Sequence, residues 1–351
     1  MKHLVRKAYT TEGYVYATRA EEIARSHGFA PYARLSSNEN PFPPDPAVIR
    51  AAAQGLESAN RYPPESADRL IAALRARYGE HHFVVGAGMD GIIETVVRLF
   101  IEKGDRAVVA TPTFSFYRIA LRGQGGVPVT CPRSGDFSVD PKKFLDACAG
   151  AKLAFLCTPN NPTGNATPLQ DVRCILDGFE GILFLDNAYV EYSGYDYVPL
   201  LEDYENLIIG RTFSKVHSLA GMRAGYAFVP EWLPPYYRRA KTPFAMNAAT
   251  IAAAQAALQD AAHENRSVAH VRIWRERFFS EIPFHTFPSD ANFVLVDVSP
   301  YRGDAVTEQL AARGVVVRSC AGFPALGTTY IRVSIGDDWE NERFLSEIKN
   351  L

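Results

Sequence analysis

An α/β architecture, with a doubly wound and mostly parallel sheet followed by a smaller α+β domain, is what three features of this chain predict. Short apolar runs alternate with helix-length segments as far as about residue 229, the alternation expected of strands joined by crossover helices. Beyond it the chain is marked by Pro230, Pro234, Pro235 and Pro243, reads as helical from about Asn247 to Glu281, and ends in separate apolar runs and a charged helix. A length of 351 residues with 47% apolar residues suits one large core and one small one.

The strand-like runs of the larger domain are Phe83-Val84-Val85, Ala107-Val108-Val109-Ala110, Leu153 to Cys157, Ile182 to Asp186, Leu207 to Gly210 and Ala224 to Val229. Those of the smaller domain are Asn292 to Val296, Val315 to Arg318 and Tyr330 to Ser334. A boundary near residue 240 is expected, with residues 31–240 forming the larger domain and residues 241–351 the smaller. The first 30 or so residues should form an arm packed on the smaller domain or on a partner.

Three strand ends carry the chemistry. In Arg211-Thr212-Phe213-Ser214-Lys215, with Arg223 eight residues on, a lysine stands among hydroxyls and cations. An amine attacks an aldehyde only when unprotonated, so burial or the neighbouring charge of Arg211 and Arg223 suits a Schiff-base lysine. Thr212, Ser214 and the fork of Arg223 could hold a phosphate, which together describe pyridoxal 5'-phosphate. Asp186 closes an apolar run and could pair with a protonated pyridine nitrogen. Tyr189 could give its phenol proton to the ring oxygen, and Asn161, before Pro162, is biased towards a geometry that points its amide off a strand end. Each alone also fits a plainer reading: a loop lysine, a helix-capping aspartate, a turn asparagine. Their order at successive strand ends favours a shared site.

With Asn161-Pro162-Thr163-Gly164, Asp186-Asn187-Ala188-Tyr189 and Ser214-Lys215 followed by Arg223, the chain resembles the fold-type I pyridoxal-phosphate enzymes of the class I and II aminotransferase superfamily. Tyr14-Val15, Leu35-Ser36-Ser37-Asn38-Glu39-Asn40-Pro41, Arg61-Tyr62-Pro63 and Leu219 to Gly225 resemble the histidinol-phosphate aminotransferase branch, and the resemblance runs nearly end to end. It implies a seven-stranded sheet in the larger domain, ping-pong transamination between histidinol phosphate and 2-oxoglutarate, and a homodimer.

The resemblance also implies roles. Gly88 and Met89 would cup the cofactor phosphate and Phe114 would stack on its ring; Lys215 would be the catalytic base, with Asp186 and Tyr189 tuning the ring. Tyr62 would reach the cofactor phosphate across the dimer, and Tyr14 would meet substrate phosphate from the adjacent subunit. Arg332 would grip the α-carboxylate, Arg318 would serve the substrate phosphate, and Asn161 would touch cofactor and substrate. Phe114, Asn187 and Gly91 depart from the tyrosine, glutamate and acidic residue common in the family. A threonine-phosphate decarboxylase and an aromatic amino-acid aminotransferase share the scaffold and stay open as alternatives, as does a non-catalytic ligand-binding module.

A net charge of −2, from 37 basic and 39 acidic residues, gives no footprint for nucleic acid or membrane. Small-molecule amino and oxo acids and a second subunit are the expected partners. The 5 cysteines lie without zinc or disulfide spacing and read as reduced thiols. His81-His82 lacks further ligands, so no metal is expected. No leader or apolar span is evident, and a cytoplasmic location is expected.

Overall fold

The structure, a computed structural model, describes residues 1–10, 13 and 16–351. Its strands are β1 (Ala33–Leu35), β2 (His82–Ala87), β3 (Arg106–Thr111), β4 (Val127–Pro132), β5 (Ala151–Cys157), β6 (Ile182–Asp186), β7 (Leu207–Thr212), β8 (Ala224–Val229), β9 (His285–Thr286), β10 (Phe293–Asp297), β11 (Val315–Ser319) and β12 (Tyr330–Ser334). A seven-stranded sheet runs β2-β8-β7-β6-β5-β3-β4. All its pairs are parallel except those of β8, which is antiparallel to both β2 and β7. The sheet is covered on both faces: β7 and β8 are buried at every residue, as strands of a doubly wound sheet must be.

The fold positions the site through its connectivity. From β3 the chain passes to the edge strand β4, then returns on the other side of β3 to build β5, β6 and β7 in turn. The carboxyl ends of strands flanking such a reversal open a crevice between diverging loops. Phe114 follows β3, Asn161 follows β5, Asp186 ends β6 and Lys215 follows β7, so those side chains converge by topology.

A second, five-stranded sheet runs β1-β11-β12-β10-β9. Every strand expected from the sequence forms, but β4, β1 and β9 carried no sequence signal. The edge strand β4 is exposed or half-exposed at all but Cys131, and β1 and β9 are 3 and 2 residues long, too short for an alternation to register. The helical tract expected from about Asn247 to Glu281 is two helices, Ala248–Ala257 and Ala261–Glu281; the Asp260 side chain accepts from His263 N–H and restarts the second. Residues 33–35, placed by sequence with the larger domain, pair with β11 of the smaller sheet. Helix Ala248–Ala257, placed with the smaller domain, packs on helix Pro46–Leu56, and a side chain at Gly55 would come within 2.8 Å of its backbone. Helix Thr18–Ser26 lies on the smaller sheet's helix Gly303–Ala311, while the Lys7–Tyr9 turn rests on helix Phe116–Gln124 of the larger sheet. Among the described residues no helix is long and apolar enough to cross a membrane.

Candidate active site

A cavity of about 240 Å³ lies beyond the carboxyl ends of β3, β5, β6 and β7, lined at its heart by Lys215, Asp186, Asn161, Phe114, Tyr189 and Arg332. Asp186 forms its floor and is 3% exposed. Its Oδ1 accepts from the Ala188 N–H at 3.0 Å and its Oδ2 from the Tyr117 hydroxyl at 2.5 Å. Burial pushes the carboxyl up to about 6, against the pull of those donors and of Lys215, a penalty on ionisation of about 3 kcal/mol. An anion held at such a cost is available to a cation that enters the cavity.

Lys215 extends across the cavity, with Nζ 3.2 Å from the Ser37 carbonyl oxygen and 5.6 Å from the centre of the Tyr189 ring. Burial, and then the positive charge of Arg332, bring the amine down to about 8. The sequence had suggested Arg211 as a cation acting on this lysine, and the structure corrects it: that guanidinium turns away, lying 5.4 Å from the Tyr78 ring and 5.3 Å from the Phe228 ring. Arg332 takes its place, acting beside Arg223, the other cation expected. His217 is buried and held neutral against Phe213, a packing residue.

Tyr189 is buried, its ring edge-on to Phe293, and its oxygen accepts from Asn38 Nδ2 at 3.1 Å. Because Asn38 fills an acceptor position, the phenol's own proton is left to be donated elsewhere. Arg332, on β12 of the smaller sheet, reaches the cavity with Nη1 2.6 Å from Asn161 Oδ1 and Nη2 2.5 Å from the Ser36 carbonyl oxygen. Its Nε is buried without a partner, so the guanidinium retains donor capacity.

At the other end, Arg223 adopts a left-handed backbone (φ 53°) and donates to Asp90 Oδ2 at 2.8 Å. Gly88 and Met89 start helix Gly88–Phe100 beside it, and their N–H groups point off the helix end. Gly88 has φ 72°, and a Cβ there would sit 2.8 Å from Arg223 Nη2, so glycine is what lets the arginine cross this turn. Thr212 and Ser214 complete that end of the lining, the Ser214 N–H bonded to Thr212 Oγ1.

Some expected residues are not brought into the cavity. Tyr62 is 80% exposed and stacks on Phe244, 4.4 Å between ring centres, beside a neighbouring apolar groove. Arg318 pairs with Arg332 across β11 and β12 and is outside the lining. Tyr14 lies outside the described residues. Asn187 turns from the cavity and donates to the Thr158 carbonyl. Sequence reasoning missed Glu39, Asp90, Cys157 and above all Tyr117 as contributors. Among the described residues no group of three or more metal-ligating side chains occurs.

The model of the family described as aminotransferase class I and II matches residues 30–348. The chain belongs to the class I and II aminotransferases. Among the relatives of this aminotransferase, a histidinol-phosphate aminotransferase from Methanoculleus marisnigri is 58% identical over 352 residues, covering 100% of each chain. One of the same name from Methanocorpusculum labreanum is 53% identical with the same coverage. Among solved structures, a histidinol-phosphate aminotransferase from Sinorhizobium meliloti in complex with pyridoxal-5'-phosphate superposes with a TM-score of 0.88, at 27% identity, over 99% of this chain and 98% of that one. The seven-stranded sheet and its companion are thus the fold-type I architecture that the sequence resembled.

Proposed function

We propose that this aminotransferase uses pyridoxal 5'-phosphate to exchange an amino group between histidinol phosphate and 2-oxoglutarate, giving imidazole-acetol phosphate and glutamate. One observation carries the reading: a single cavity holds an amine brought down to about 8 and a buried carboxylate on its floor. The full-length likeness to relatives named for histidinol phosphate supports the substrate.

The residues present fit the cofactor. Asp186 suits a ring-nitrogen proton, Phe114 a ring face, and Tyr189 a ring oxygen. Gly88 and Met89 N–H groups, Thr212, Ser214 and Arg223 suit a phosphate. When bound, pyridoxal phosphate supplies an electron-accepting ring next to the substrate α-carbon. Lys215 Nζ, part of it unprotonated near neutral pH, takes the α-proton and returns one later as general base and acid. Arg332 holds the α-carboxylate of glutamate, with Asn161 beside it. Arg318 and Tyr14 serve the substrate phosphate or the glutamate side chain.

The proposal includes a homodimer. A groove of about 870 Å³ lined by Tyr62, Met222, Pro243, Phe244 and Met246 also touches Arg223, so a second copy seated there reaches the phosphate end, with Tyr62 and Tyr14 crossing the interface. It also keeps the division at residues 31–240 against residues 1–30 with 241–351, the packing favouring transfer of 33–35 to the smaller unit and 248–257 to the larger.

The test is turnover of histidinol phosphate with and without 2-oxoglutarate, beside carbon dioxide release from threonine phosphate. Loss of histidinol phosphate that requires 2-oxoglutarate and disappears in Lys215→Ala is expected. Carbon dioxide release without transamination overturns the reading.

A further inference from the structure

Beneath the floor of the cavity, a phenol meets the carboxylate from the side that no substrate reaches. Tyr117, near the start of helix Phe116–Gln124, is 0% exposed and its hydroxyl donates to Asp186 Oδ2 at 2.5 Å. Its ring is fixed on two sides. Phe155 of β5 stacks on it at 4.8 Å and 12°, and Phe114, which lines the cavity, meets it edge-on at 5.6 Å and 84°. The hydroxyl cannot swing away without breaking that aromatic stack.

We propose that Tyr117 is the positioning residue of Asp186, holding Oδ2 so that the carboxylate stays ionised and turned to the cavity, and thereby setting how firmly the cofactor's pyridine nitrogen is gripped. This rests on the cofactor reading above. The groups that face Asp186 divide clearly. Burial disfavours its anion, as does Asp90 from helix Gly88–Phe100, while Lys215 and the Ala188 N–H favour it. The Cys157 thiol at the end of β5, itself pushed far up by burial and by Asp186, stays protonated and adds no charge. Tyr117 is likewise held far above the ordinary phenol range, so its hydrogen remains on oxygen for donation. Of the influences that favour the anion, its hydrogen bond is the largest.

Four chains decide the matter: wild type, Tyr117→Phe, Asp186→Asn and the double variant, with Tyr197→Phe as control. Tyr197 is an equally buried tyrosine whose hydroxyl bonds Thr167 and Thr158, outside the cavity. Equilibrium binding of pyridoxal phosphate should weaken about tenfold to a hundredfold in Tyr117→Phe, the worth of a charge-assisted hydrogen bond. It should not weaken further when Tyr117→Phe is added to Asp186→Asn, and it should be unchanged in Tyr197→Phe.

The second readout needs no cofactor. A carboxyl raised on folding costs stability as pH climbs from its unfolded value to its folded one. Loss of the Tyr117 bond lifts the folded value further, so the Tm deficit of Tyr117→Phe should widen between about pH 5 and about pH 8, whereas that of Tyr197→Phe stays level. Binding within about twofold of wild type with a level Tm deficit overturns the proposal. Should Tyr117→Phe fail to fold, Tyr117→Leu, which also lacks the hydroxyl donor, goes through both measurements; wild-type binding with a level Tm deficit would again reject the idea. If wild type takes up no pyridoxal phosphate, the cofactor reading fails, while the Tm profiles still decide whether Tyr117 governs the acid.

Discussion

The two ends of the cavity are built on opposite principles. At the floor, Asp186 and Lys215 are sunk in the larger domain, and their proton affinities move towards each other, the acid up to about 6 and the amine down to about 8. At the phosphate end, Arg223 and Asp90 are half-exposed, 50% and 42%, and keep a surface-like ion pair, with the 80% exposed Tyr62 nearby in the adjoining groove. Burial makes reactivity, because it penalises charge. Exposure leaves room for capture, where an arriving phosphate and a second subunit can complete the ligand set. The floor is thus finished within one chain, whereas in the proposed homodimer the mouth is finished by two.

Several experiments would break or sharpen that contrast. The largest effect belongs to Lys215→Ala, expected to lower transamination by about 10⁴-fold, the upper worth of a positioned base, as read by steady-state formation of glutamate. Asp186→Asn comes next, with a fall of about 200- to 5,000-fold in kcat, since breaking one side of a buried charge pair costs about 3–5 kcal/mol. Arg332→Leu should act mainly on KM for glutamate and reduce kcat/KM by about tenfold to a hundredfold. Uptake of pyridoxal phosphate by cofactor-free chain should quicken about tenfold per pH unit up to about 8 and then level, because only the unprotonated Lys215 amine attacks; a flat stopped-flow profile over that range speaks against the lowered amine. Tyr62→Ala should cost least, about tenfold or less in cofactor affinity, with a shift towards monomer in sedimentation. A loss there larger than that of Asp186→Asn would reverse the ranking of floor over mouth.

How much was legible in the sequence follows the same divide. Lys215, Asp186 and Asn161 were readable because each ends an apolar run, and a buried parallel strand announces its own end. Arg332 was readable from β12 through resemblance, although nothing local said that it would cross from the smaller sheet to meet Asn161 and Ser36. Tyr117 was not readable, since a tyrosine on an apolar helix face carries the same signal whether its hydroxyl meets water, a carbonyl or a catalytic acid. The edge strand β4 was lost because it is half-exposed and contains Pro128 and Pro132. The charge partner of Lys215 was misassigned to Arg211 because closeness along the chain says little about direction across a strand, where alternate side chains face opposite sides.

The arginine from the smaller sheet has one further consequence. Arg332 does not wait as a bare cation, for two of its nitrogens already rest on oxygens that belong to the protein. A visiting molecule must therefore outbid a side-chain amide and a main-chain carbonyl, both of them neutral. Carboxylates can do so through charge, whereas amides and esters of the same amino acids merely swap one dipole for another, and should be turned away at the door.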